Sequence, residues 1–178
     1  MVTGHVFIAT SLDGYIARKN GDINWLLQLD SAKEDHGYND FISNIDTVIM
    51  GRGTYESIKN LQPWFYSRPV IVLSKTLACT DVPSDLTGKV RFYNLSPNQI
   101  MEKLHKEGCQ RAYIDGGQLI QSFISHNLIN DLTITQIPIL LGSGRSLFGD
   151  IPQDIHLRHI RTKTFKSGFV QSHYEIKK

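Results

Sequence analysis

Cysteine is scarce. Cys79 and Cys109 are the only two in 178 residues, and they form no C-x-x-C pair. That leaves no redox dithiol motif and reads as two reduced thiols of a cytoplasmic protein, with a single disulfide as the alternative. Long apolar runs are missing too. The longest near the N-terminus, Val6 to Ala9, is too short for a secretory signal core. Nothing approaches the ~18 apolar residues of a membrane span, so no membrane partner is expected. Neither sign of charge prevails: 19 Lys and Arg stand against 17 Asp and Glu, and no stretch holds five like charges. Bulk-charge binding to nucleic acid is therefore not expected. Repeats and low-complexity tracts are absent. So are G-x-G-x-x-G in the first strand-to-helix turn and the H-x-E with C-x-x-C of a zinc deaminase. His156 and His159 would face opposite sides of a strand with no third ligand, so no metal is expected.

What remains is an ordinary globular composition, 40% hydrophobic and 20% charged, of a length that suits one domain over residues 1–178. Short runs rich in Val, Ile, Phe and Tyr predict strands at His5–Thr10, Thr47–Met50, Val70–Ser74, Val90–Tyr93, Arg111–Asp115, Asp131–Ile137 and Gly168–Ile176. Residues 155–165 are a weaker strand candidate. Helical patterns lie between them. Tyr38, Phe41, Ile42 and Ile45 share one helix face, and Ser31-x-x-Glu34 fits a capping box ahead of them. A second helix starts at Ser96 with Pro97 and Gln99 and stops at Gly108. A third follows Gly116-Gly117, and a short one begins near Thr54. Alternating strands and helices predict a mostly parallel sheet. The alternation over Phe169–Ile176, with no intervening helix, predicts an antiparallel edge or hairpin.

Three strand ends look alike. Thr47–Met50 runs into Gly51-Arg52-Gly53-Thr54, Val70–Leu73 into Ser74-Lys75-Thr76, and Ala112–Asp115 into Gly116-Gly117-Gln118. Ligands of parallel sheets bind beyond the carboxyl ends of the strands. Glycines let a phosphate approach the backbone, and helix starts offer free N–H groups. Each turn alone is commonplace. Their coincidence suggests a cradle for a dinucleotide, with Arg52, Ser74 and Lys75 holding a phosphate on its adenosine side and so favouring NADPH over NADH.

"IMGRGTYESI", "FIATSLDGYIA", "GDINWL", "VIVLSK", "YIDGGQLIQSFI" and "LTITQIPILLGSGRSLF" occur in that order. Together they resemble the dihydrofolate reductase-like superfamily, in the branch of the bacterial riboflavin-biosynthesis reductase C-terminal domain, over about residues 4 to 176. The resemblance implies an α/β three-layer fold: a mostly parallel eight-stranded sheet, an antiparallel C-terminal edge and helices on both faces. It implies an NADPH site. Ala9, Ile16, Gly21 and Asp22 would line the nicotinamide side. Gly51, Arg52, Gly53 and Thr54 would take the pyrophosphate and adenosine phosphate, with Leu73, Ser74 and Lys75 at the adenine ribose. Gly116, Gly117, Gln118, Leu119 and Ile120 would serve the pyrophosphate from the second helix. The loop from Ser11 to Leu26, with its Asn20-Gly21 turn, would close over the nicotinamide, and Thr135 would help bind the substrate.

The resemblance further implies a catalytic acid at Asp30, five residues after Trp25, with helix capping as the competing role. Asp13 is the alternative acid, though it also suits a turn. Arg68 matches a substrate-tail arginine and could equally bind a substrate phosphate or nothing, and Arg145 in "GSGRSLF" could meet a substrate phosphate or lie in solvent. The expected reaction is NADPH-dependent reduction of a ribosylamino-pyrimidine. Dihydrofolate reduction and cofactor binding without turnover are the alternatives. A small-molecule substrate is the expected partner. A homodimer through Phe169, Val170, Tyr174 and Ile176 is also expected.

Overall fold

Side-chain alternation decides which residues of each strand meet which layer of helices. The structure is a computed structural model describing residues 1–28, 34–77, 82–151 and 153–177. In chain order the elements are β1 Thr3–Ser11, β2 Tyr15–Ala17, α1 Asn24–Leu27, α2 Tyr38–Ser43, β3 Thr47–Gly51, α3 Arg52–Ile58, β4 Val70–Leu73 and β5 Val90–Tyr93. Then follow α4 Pro97–Lys106, β6 Arg111–Asp115, α5 Gly117–Ser125, β7 Ile129–Ile137, β8 Arg145–Ser146, β9 Leu157–Thr164 and β10 Val170–Ile176.

Eight strands form one sheet in the order β5-β4-β3-β6-β1-β7-β10-β9, and β2 pairs with β8 in a small separate ribbon. The pairings from β5 to β7 are parallel, while β10 runs antiparallel to both β7 and β9. On one face Val6, Ile49, Ile71, Ala112 and Ile114 pack with Ile100, Met101 and Leu104 of α4 and Ile120, Phe123 and Ile124 of α5. On the other, Val48, Met50, Val70, Val72 and Tyr113 pack with Ile42 of α2 and Tyr55 of α3. The period-two split of Ile49 from Val48 and Met50 is what a strand buried on both faces requires.

The expected fold class is observed, including the C-terminal hairpin. The helix starting at Ser96 carries its full capping box: the Gln99 N–H donates to Ser96 Oγ at 3.4 Å, and Gln99 Oε1 accepts from the Ser96 N–H at 2.9 Å. One start signal is corrected. α2 begins after Gly37, whose φ of 82° breaks the helix. Glu34 instead accepts from the Lys166 and Ser167 N–H groups at 3.0 and 2.8 Å, bracing the hairpin between β9 and β10. Ser31 lies outside the described residues. The basis of the expected two-fold contact also changes. Val170, Tyr174 and Ile176 belong to β10, which is flanked on both sides, and Phe169 is buried; the edge strand at the C-terminal end of the sheet is β9. No helix among the described residues is long and apolar enough to cross a membrane.

Candidate cofactor and substrate site

β3 sits between β4 and β6, with Gly51 opposite Leu73 and Met50 opposite Asp115. The turns after the three strands therefore open side by side on one edge of the sheet. Gly51-Arg52-Gly53, Ser74-Lys75 and Gly116-Gly117 meet there as the sequence suggests.

The local chemistry suits an anion. Neither α3 nor α5 has a side-chain N-cap, so their first amides stay available. A Cβ built at Gly51 would meet nothing within 4 Å, and at Gly53 it would meet only Arg145 Nη1, at 3.8 Å. That is open room in front of the β3–α3 turn. Gly116 has φ +95°, and a Cβ there would come within 2.3 Å of Thr54 Oγ1. The absent side chain thus lets the two helix starts approach one another. Beside them, Arg52 Nη1 donates to Thr76 Oγ1 at 2.9 Å, and Ser74 Oγ accepts from the Thr76 and Leu77 N–H groups at 3.1 and 3.0 Å. With Lys75 exposed next to them, two cations and two hydroxyls cluster at the β4 end. Open backbone at the glycines beside two cations and two hydroxyls is a donor set that fits a phosphorylated dinucleotide such as NADPH. Gln118 is exposed at the start of α5, Leu119 is half-buried, and Ile120 is buried in the core beneath.

The ribbon of β2 and β8 lies across this edge. Ile16 reaches the α5 start, where its Cδ1 would be 2.8 Å from a Cβ on Gly117. The Asn20-Gly21 turn forms as expected: the Gly21 N–H donates to Arg18 O at 2.9 Å, and Gly21 has φ 91°. Asp22 is engaged locally, its Oδ1 accepting from the Asn24 N–H at 2.6 Å. Arg145 falls beside this turn and beside Gly53.

Other expected residues have mainly local partners. Asp13 accepts from Ser11 Oγ at 2.6 Å, from the Leu141 N–H at 3.1 Å and from the Gly142 N–H at 2.7 Å. These bonds, that from Ser11 foremost, hold its carboxyl below the ordinary carboxylate range. Its geometry is that of a loop brace. Arg68 donates to Ile42 O at 3.1 Å and to Ser43 O at 2.6 Å, closing the C-terminal end of α2. Thr135 Oγ1 accepts from Gln171 Nε2 at 2.9 Å, and the same nitrogen donates to His36 O at 2.9 Å. Trp25 is buried with Ile137 and Phe169, near half-buried Ala9, and its indole N–H has no hydrogen-bond partner among the described residues. Asp30 lies outside the described residues.

Sequence reasoning missed a different acid. Asp115 ends β6 directly before Gly116 and is only half-buried. Tyr66 Oη donates to its Oδ2. Burial pushes its carboxyl above the ordinary value, and hydrogen bonds from Tyr66, the Gly116 amide and Tyr113 offset part of that rise. Tyr38 stands close by, its hydroxyl buried without a hydrogen-bond partner among the described residues. Phe65 packs at 5.3 Å from Tyr38 and 5.0 Å from Tyr66, and is itself exposed. Aromatic rings therefore flank an acid next to the glycine cradle. The "IDGG" stretch carried a signal, an acid at a strand's carboxyl end. The aromatic partners came from distant positions.

The family model of the RibD C-terminal domain matches residues 3–171. The chain belongs to this family. It is 37% identical to the uncharacterized protein YwjB of Bacillus subtilis (strain 168), covering 95% of each chain. It is 30% identical to the uncharacterized protein YyaP of the same organism, covering 94% of this chain and 91% of the relative. A candidate riboflavin biosynthesis protein from Shewanella sp. PV-4 has the same fold, with TM-score 0.92 and 36% identity over 99% of this chain and 100% of the other. A Thermotoga maritima diaminohydroxyphosphoribosylaminopyrimidine deaminase/5-amino-6-(5-phosphoribosylamino)uracil reductase shares the fold at TM-score 0.76 and 14% identity, with 57% of its length covered. The architecture is thus the dihydrofolate reductase-like one of the riboflavin-pathway reductase family.

Proposed function

We propose that this RibD-family protein is an NADPH-dependent reductase of a ribosylamino-pyrimidine, of the 5-amino-6-(5-phosphoribosylamino)uracil type, or of a closely related small heterocycle. The observation that carries this reading is the adjacency of Gly51-Arg52, Ser74-Lys75 and Gly116-Gly117 at one sheet edge, with Asp115 between that cradle and the rings of Tyr66, Tyr38 and Phe65.

When bound, NADPH supplies a hydride. The chain's own residues would hold it: the amides at the starts of α3 and α5 would take the pyrophosphate, and Arg52, Ser74 and Lys75 the ribose phosphate. Tyr38 and Phe65 offer ring faces to a planar heterocycle, which stacks on them. Reduction of a C=N bond needs a proton on nitrogen as hydride reaches carbon. Asp115, whose carboxyl burial raises above its ordinary value, would hold such a proton at Oδ1 or Oδ2. The β2–β8 ribbon excludes water from the edge where the two ligands would meet. The dihydrofolate alternative has less support, because Arg68, its tail arginine, is occupied at the end of α2.

The test is NADPH absorbance loss with purified protein. The expected outcome is oxidation with 5-amino-6-(5-phosphoribosylamino)uracil, at least tenfold weaker use of NADH, and none with dihydrofolate. Tight NADPH binding with no turnover on either substrate would replace the reading by a binding module. Turnover with dihydrofolate alone would replace it by the alternative.

A further inference from the structure

Arg145 enters the cradle from a part of the chain that the sequence ties to the substrate side. Its guanidinium occupies the space left by two absent side chains. A Cβ on Gly21 would lie 3.3 Å from Nη2, 3.4 Å from Nη1 and 3.4 Å from Cζ, and a Cβ on Gly53 would lie 3.8 Å from Nη1. The cation therefore sits between the Gly21 turn and the open room in front of Gly51 and Gly53. The strand that carries it is anchored. Ala17 pairs with Arg145 and Tyr15 with Ser146, and the Leu147 N–H donates to Gly14 O at 3.0 Å. Gln121 Nε2 donates to Ser146 O at 3.2 Å and to Leu147 O at 3.1 Å. Ser146 O would be 2.9 Å from a Cβ on Gly117, so β8 rests directly on the start of α5. Arg145 Nε donates to Lys19 O at 3.3 Å, and among the described residues no carboxylate pairs with it.

We infer that Arg145 is a pyrophosphate ligand of the dinucleotide, clamping it between the β3–α3 and β6–α5 turns while tying down the Gly21 turn that covers it. This rests on the NADPH reading above and moves Arg145 from the substrate to the cofactor. An exposed cation on an anchored strand, with unused donors next to side-chain-free backbone, is what a bridging diphosphate needs. Arg52 reaches from the β3–α3 turn to Thr76, beside Ser74 and Lys75 at the end of β4 one strand further out, so the two cation groups divide the labour: Arg145 reads what NADPH and NADH share, and Arg52 with Lys75 reads what distinguishes them.

That division makes the test selective. Dissociation constants for NADPH, NADH and reduced nicotinamide riboside, which carries no phosphate, are measured by titration calorimetry on wild type, Arg145→Met, Arg145→Lys and Arg52→Met. Arg145→Met should weaken NADPH and NADH by the same factor, about tenfold, with the riboside unaffected and a flatter salt dependence. Arg145→Lys should fall between, and Arg52→Met should change the NADPH-to-NADH ratio. A Tm unchanged in Arg145→Met would show that the fold is intact. The inference is overturned if Arg145→Met leaves both dinucleotides at wild-type affinity, whether or not the KM for the phosphorylated pyrimidine rises. It is also overturned if only the NADPH-to-NADH ratio moves. Wild-type protein that binds neither dinucleotide would sink the NADPH reading itself, and this inference with it.

Discussion

Asp115 concentrates the chemistry at the scale of a single residue. Its carboxyl is raised by burial, so it keeps its proton to higher pH than a free aspartate. Asp115→Asn keeps an acceptor for Tyr66 but has no proton to give. The expected outcome is a kcat about 10²- to 10⁴-fold lower with NADPH affinity unchanged, checked by stopped-flow and binding titration. The sign of the pH dependence follows from the raised value. Wild-type activity falls as pH rises through the folded-state pKa, and the stability contributed by the neutral carboxyl is lost over the same window; the Asn variant lacks both limbs. Sequence reasoning passed over this residue because Tyr66 lies 49 positions away, beyond the reach of any local pattern. The placement of Arg52, Ser74 and Lys75 at neighbouring strand ends was legible because they follow directly on β3 and β4. Burial lifts the thiol of Cys109 to about 11, which keeps it a poor nucleophile.

Among the elements, the long strands and α4 and α5 could be read directly, since apolar alternation and turn residues mark their limits. The β2–β8 ribbon could not, because strands of three and two residues show no period. The capping signature at Glu34 misled for a related reason. Its carboxylate serves amides 132 and 133 residues away, a contact that no local pattern reveals. Asp13 works in the same long-range manner, fastening residues 141 and 142 to the end of β1. Its lowered pKa means that this fastening is present above the ordinary carboxylate range and is lost as pH falls through the folded-state value. Asp13→Ala should speed hydrogen exchange at the Leu141 and Gly142 amides at neutral pH and leave the β1 and β7 core amides protected, as read by exchange mass spectrometry or NMR. Wild-type protein in acid should show the same local loss before it unfolds.

For the molecule as a whole, the two apolar layers set stability. Phe123 of α5 has no exposed surface and is the largest such side chain in the layer shared with α4. Phe123→Ala should cost about 3–5 kcal/mol, lowering Tm by roughly 10 °C in calorimetry. Substitution of exposed Lys75 should leave Tm within about a degree. The outer rim follows a different rule. All eight residues of β9 are exposed, and Arg158, His159, Arg161 and Lys163 stand among them. A second sheet approaching that border strand to strand would bring like charges into register, and such borders resist continuation. The molecule thereby carries, along this border of the sheet, its own terminator against growing into a fibril.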